Sequence, residues 1–98
     1  MRYSFHPEAE NELLSAITYF EDCSEGLGLD FAKEVFATIQ RMLRFPYAWT
    51  EFSYHTRRAL TKRFPFGVIY QVISDEEIVI LAVMQLNREP NYWTTRTN

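Results

Sequence analysis

Apolar residues recur along this chain first with a helical period and then in alternation. Ala9, Leu13, Ala16, Ile17 and Phe20 follow one another at helical spacing, and Ala32, Val35, Phe36, Ile39, Met42 and Leu43 repeat the stripe at i, i+3, i+4 and i+7. Pro7 stands where a first helical residue is favoured, with Glu8 and Glu10 near the positive end of the helix dipole. The first helix is therefore expected from Pro7 to about Ser24. Gly26 and Gly28 supply the backbone freedom that ends it, and Pro46 stops the second helix, whose last turns carry Arg41 and Arg44. Together the stripes predict a helical hairpin joined at Glu25-Gly26-Leu27-Gly28.

Tyr3, Phe5 and their neighbours form a short candidate strand before that hairpin. Beyond Trp49 the pattern changes to strands over Thr56–Leu60, Phe66–Ser74 and Glu77–Met84, the last two joined by a tight turn at Asp75-Glu76. The order predicts an α+β fold: a short N-terminal strand and a helical hairpin packed on one face of a three- to four-stranded antiparallel sheet. At 98 residues the chain has the length of one domain, residues 1–98, and with 47% of its residues apolar it can bury a real but modest core.

The final hairpin is apolar on both alternating sets. Val68, Tyr70 and Val72 oppose Ile69 and Ile73, while Ile78, Ile80 and Ala82 oppose Val79, Leu81 and Val83. Such strands want cover on both faces, and two helices on one face leave the other bare. This favours a partner there, another chain or a second copy of this one. The alternative is that Pro90-Asn91-Tyr92-Trp93 folds back over the gap.

The net charge of −3 conceals a segregation that bears on partners. Residues 1–34 hold eight acids against Arg2 and Lys33, whereas residues 35–74 hold six cations against Glu51 alone. An acidic total argues against broad polyanion binding but leaves room for one focused basic patch. No apolar run is long enough to span a bilayer, and the opening Met1-Arg2-Tyr3-Ser4-Phe5-His6-Pro7 lacks the apolar core of a secretion signal. A cytoplasmic protein without membrane contact is expected. The single cysteine, Cys23, suggests neither a disulfide nor zinc or redox work.

Four cations in seven residues, Arg57, Arg58, Lys62 and Arg63, mark a basic rim. On a continued strand 57 and 63 share one face, and 58 and 62 the other. The rim has three readings: a charged edge strand protected from aggregation, a seat for RNA phosphate or an acidic protein segment, or an internal partner for the acidic first helix. Arg88, Tyr92 and Trp93 lie just past the last strand, where Pro90 excludes a regular central strand. His6 and His55 have no spacing of a metal pair or a nucleophile's base. No Gly-rich turn opens a helix, and Glu8, Glu10 and Glu12 are read as alternating around the helix, so no nucleotide, metal or cofactor site is expected.

Two stretches carry a resemblance: Arg57-Arg58 through Lys62-Arg63-Phe64-Pro65-Phe66 into the hairpin, and Ala82-Val83-Met84-Gln85-Leu86-Asn87-Arg88-Glu89-Pro90-Asn91-Tyr92-Trp93. Together they closely resemble the RelE/ParE superfamily of bacterial toxins, the toxins of type II toxin–antitoxin (plasmid stabilisation) systems. The resemblance runs from Pro7-Glu8-Ala9 to Tyr92-Trp93. It implies a cognate antitoxin lying over the sheet and basic rim, with Arg57, Arg58, Lys62, Arg63 and Trp93 as partner-binding residues. In RelE-like enzymes, which cut messenger RNA on the ribosome, Arg88 and Tyr92 match two catalytic positions, a phosphate-binding cation and a C-terminal Tyr or His. The arginine such nucleases often carry on the first hairpin strand falls at Gly67, however, and the histidine of their His-x-x-Arg falls at Gln85. Ribosome-directed members are also strongly basic. These departures favour the ParE-like branch, which poisons DNA gyrase by binding it. A RelE-like endoribonuclease, and a decayed toxin that only binds its antitoxin, are the alternatives.

Overall fold

A computed structural model describes residues 1–53, 55–89 and 91–97. In order along the chain it has β1 (Arg2–Phe5), α1 (Pro7–Cys23), α2 (Leu27–Arg44), β2 (Glu51–Ser53), β3 (Thr56–Leu60), β4 (Phe66–Ser74) and β5 (Glu77–Gln85), then a single 3-10 turn at Thr94–Arg96. The strands form one five-stranded sheet in the order β1-β5-β4-β3-β2. The α+β layering with both helices on one face is as expected. The sheet differs from the expected three or four antiparallel strands in being mixed, because β1 runs parallel to β5 in the register Arg2↔Glu77 to Phe5↔Ile80. The helical hairpin carries the chain away from β1, and β5 comes to lie beside it only at the far end of the sequence. The strand β2 adds a fifth member, too short for its three residues to give an alternation in sequence.

Helix α1 starts at Pro7 with His6 as its cap, the ring Nδ1 accepting the Glu8 N–H at 3.1 Å. The turn between the helices is tighter than the sequence suggested, since Leu27 and Gly28 already belong to α2. Of the two glycines in this turn only Gly26 takes a left-handed conformation, φ +85°. Gly28 is needed for closeness instead: a Cβ there would lie 2.6 Å from the carbonyl oxygen of Ile17. Glu21 of α1 completes the joint by accepting the N–H groups of Gly26 at 2.9 Å and Gly28 at 3.0 Å, which caps the otherwise open end of α2. Gly28→Ala should push the helices apart and cost about 1–3 kcal/mol, read as a lower urea midpoint with unchanged slope.

The helix-side core joins Ala9, Leu13, Phe31, Val35, Ile39 and Met42 to Ala59, Val68, Tyr70, Ile78, Ile80 and Val83 of the sheet. A register shift between β4 and β5 alters the expected alternation. Ile69 pairs with Ala82 and Tyr70 with Ile80, so Leu81 is the extra residue of a bulge. Leu81 and Ala82 consequently both enter the cluster on the far face, and Val83 returns to the helix side. The far face is not left to a partner as expected: Trp93, 1% exposed, packs on Ile69, Leu81, Ala82 and Met84, with Val79 and Tyr92 alongside. The C-terminal segment thus supplies the cover, because a large aromatic anchored just past β5 reaches the face its own strand exposes. Pro90, to which part of that reading was attached, lies outside the described residues. Leu60, Ile73 and Leu86 remain exposed. No helix of the described residues is long and apolar enough to cross a membrane.

Candidate functional site

β1 ends at Phe5, so the edge of β5 beyond Ile80 has no strand beside it. Two side chains take the place of one. The Val83 N–H donates to Glu12 Oε1 at 3.1 Å, and Arg96 Nη1 donates to the Leu81 carbonyl at 2.8 Å. These are the backbone groups that a continued β1 would have paired, and buried backbone groups left unpaired are costly. Arg96 binds Glu12 through both terminal nitrogens, at 3.0 Å and 3.3 Å, and its Nε lies 3.5 Å from Glu8 Oε2. The Arg96 and Glu12 side chains are only 8% and 14% exposed.

Arg88 and Tyr92, the two residues matched to nuclease positions, converge on the same carboxylate. The Tyr92 hydroxyl donates to Glu12 Oε2 at 2.6 Å, Arg88 Nη1 lies 3.4 Å from that oxygen, and the Arg88 guanidinium carbon is 3.7 Å above the Tyr92 ring centroid. Glu12 therefore accepts from β5, from two arginines and from a tyrosine, filling the acceptor sites of both its oxygens. Burial raises the Tyr92 pKa well above the ordinary value of 10.0, and the hydrogen bond and negative charge of Glu12 raise it further against the opposing Arg88 and Arg96. Burial also pushes the Tyr70 hydroxyl up to about 12, with Arg57 opposing.

A tyrosine whose folded pKa is raised stabilises the fold fully below its unfolded pKa and loses that contribution as pH rises towards the folded one. Stability should accordingly fall above about pH 10, and Tyr92→Phe should make the alkaline fall shallower in unfolding curves taken across that range.

The acids of α1 were expected to alternate around it. Glu8 and Glu12, one turn apart, instead share a face and meet Arg96 together. Neither Glu12 nor Arg96 stood out in the sequence, since 84 residues separate them and only the topology brings them together. No group of three or more His, Cys, Asp or Glu side chains able to hold a metal ion occurs among the described residues.

The basic rim does not assemble into one patch. β3 ends at Leu60, so the alternation extended to positions 62 and 63 stops applying. Arg57 faces the helix side, donates to the Trp49 carbonyl and lies 5.1 Å from the Tyr47 ring centroid. Arg63 lies 3.7 Å from Asp30 of α2, and the Lys62 N–H donates to Glu34 Oε2 at 3.0 Å. Internal charge pairing thus takes Arg63 of the cluster, and its partner comes from α2 rather than from the acidic first helix. Arg58 occupies the opposite face, its Cγ and Cδ 3.0 and 3.1 Å from where a Cβ on Gly67 would stand. A side chain at position 67 would require the Arg58 side chain to give way by a few tenths of an ångström. Gln85 is exposed at the end of β5.

Residues 3–90 match the family model described as ParE toxin of type II toxin-antitoxin system, parDE. Among solved structures, a chain of the chromosomal ParDE TA system from P. aeruginosa is similar in fold, with a TM-score of 0.71 and 17% identity over 87% of this chain and 95% of that one. No curated protein matches the sequence.

Proposed function

Since the chain belongs to the ParE toxin family of type II toxin–antitoxin systems, we propose that it is a cytoplasmic, growth-inhibiting toxin that acts by binding DNA gyrase and is neutralised by a cognate antitoxin. The observation that carries this reading is the state of Arg88 and Tyr92. Cleavage of RNA by phosphoryl transfer needs fixed positive charge for the developing oxyanions and an available proton donor. Here two arginines face two carboxylates, Glu8 and Glu12, and the Tyr92 proton is committed to Glu12. A phosphate entering this cluster would meet a carboxylate. Gln85 offers no titratable proton at the position where such nucleases carry histidine, and Arg58 fills the space above Gly67. Binding makes no such demands.

For the antitoxin we propose an acidic segment lying over the sheet and meeting its basic rim, Arg58 and Lys62 among the residues it touches. Such a complex should weaken with added salt and on charge reversal at both residues.

The test of mechanism is expression of the chain alone and with its neighbouring gene. Growth arrest with accumulating gyrase-linked DNA breaks and uncut RNA is expected, with rescue by the neighbour. Ribosome-dependent cuts in messenger RNA that disappear in Arg88→Ala would overturn the reading in favour of a RelE-like endoribonuclease.

A further inference from the structure

We propose that the pocket at the C-terminal end of α2 is a second docking surface, which takes a peptide segment of another protein bearing a large apolar side chain between carboxylates. The pocket, about 490 Å3, is lined by Gln40, Arg41, Arg44, Phe45, Ala48 and Trp49. That volume lies within the range of ligand-sized clefts, roughly 300–1,000 Å3. Phe45 is 57% exposed, while Trp49 backs the pocket and packs against the helix-side core. Phe36, also exposed, stands one turn before Gln40 on the same side of α2.

The rim is cationic and unspent. Arg63, Arg88 and Arg96 are each matched to a carboxylate. Arg41 and Arg44 make no ion pair among the described residues, and Arg41 uses one N–H on the Thr38 hydroxyl at 3.0 Å. Both lie in the last turn of α2. Carboxylates are the groups that two such cations recognise with directed hydrogen bonds.

The pocket is also formed in advance. The Tyr70 hydroxyl donates to the Pro46 carbonyl at 2.6 Å, Arg57 donates to that of Trp49, and the Phe45 N–H closes onto Arg41 at 2.9 Å. A segment pinned in this way from the sheet and from α2 is already ordered before a ligand arrives, which lowers the cost of binding. Nucleic acid fits less well, because the total charge is −3 and two cations make a small counterpart for a phosphate backbone. The surface uses neither Arg58 nor Lys62, so it stands whether or not the antitoxin is seated on them.

The experiment titrates the full chain with fluorescein-labelled peptides, read by anisotropy and by amide NMR. One peptide places Leu and Phe between Asp residues, a second replaces each Asp with Lys, a third replaces Leu and Phe with Ser, and oligouridine is the nucleic-acid probe. The acidic apolar peptide alone should bind, shifting the Trp49 indole and Phe45 amide signals. Arg44→Glu should weaken it about tenfold with only a slightly lowered urea midpoint, since a carboxylate replaces a cation at the C-terminal end of α2, and Phe45→Ala should weaken it independently of charge. Equal binding of the Lys peptide, tighter binding of oligouridine, unaltered affinity in Arg44→Glu, or shifts centred on Arg58 and Lys62 would each overturn the proposal.

Discussion

Glu12→Ala should cost about 3–5 kcal/mol, the toll of leaving a buried cation without its partner. Arg96, 8% exposed, would keep its charge while losing both Glu12 oxygens, with only the more exposed Glu8 left to face it at 3.5 Å, and the Val83 N–H and Tyr92 hydroxyl would lose their acceptor. For a chain of this size each kcal/mol moves Tm by roughly 4–8 °C, so thermal unfolding reads the loss easily. A paired substitution separates a stranded charge from simple loss of contact. Arg96→Met added to Glu12→Ala removes the cation and should recover part of the stability, since apolar replacement of a buried ion pair is often close to neutral. A double variant as unstable as the sum of the two single ones would show that charge is not the cause.

Trp93→Ala should cost a similar amount, about 3–5 kcal/mol, for a different reason. Its ring is the main cover on the far face of the sheet, and without it Ile69, Leu81 and Met84 meet water. The variant should therefore bind a hydrophobic dye such as ANS under conditions where the wild-type chain does not, and Trp93→Phe should retain most of the stability. A loss below about 1 kcal/mol, which is within the ordinary range for single substitutions, together with unchanged dye binding, would mean that the segment is not the lid described here.

Much of this architecture is legible in the sequence where the signals are local. Pro7 and Pro46 bound the helical hairpin, the 3.6-residue stripes mark its buried faces, and Asp75-Glu76 marks the turn between the two long strands. What escapes notice depends on contacts between distant residues. Nothing near Leu81 announces a bulge, because an extra residue in an already apolar strand leaves the composition unchanged. β1 looks like any short strand, and only its placement beside β5 makes it parallel. The candidate site divides in the same way. Arg88 and Tyr92 lie four positions apart in the sequence and touch in space, whereas the carboxylate that occupies them lies on α1, 76 and 80 residues earlier. Spacing on a helix did offer a sign, since Glu8 and Glu12 stand at i and i+4, but their shared partner lies beyond any local window. The basic rim divides between two faces even if the strand is imagined to continue past Leu60, and because β3 ends there the places of Lys62 and Arg63 are set by α2 instead.

The closure of β5 by Glu12 and Arg96 also has a meaning in time. A polypeptide emerges from the ribosome from its N-terminus, and β1 and α1 are out long before the strand they will flank. β5 can dock between β1 and β4 once residue 85 is free, yet its edge and far face stay bare until residues 92–96 follow. Long-range pairings of this kind form late and leave unsatisfied strand edges exposed in the interval. A chain whose hairpin forms before residues 92–96 dock would pass through a stage with a finished hairpin and no seal. During that stage the Leu81 carbonyl and the Val83 amide are open to any extended segment that another chain presents.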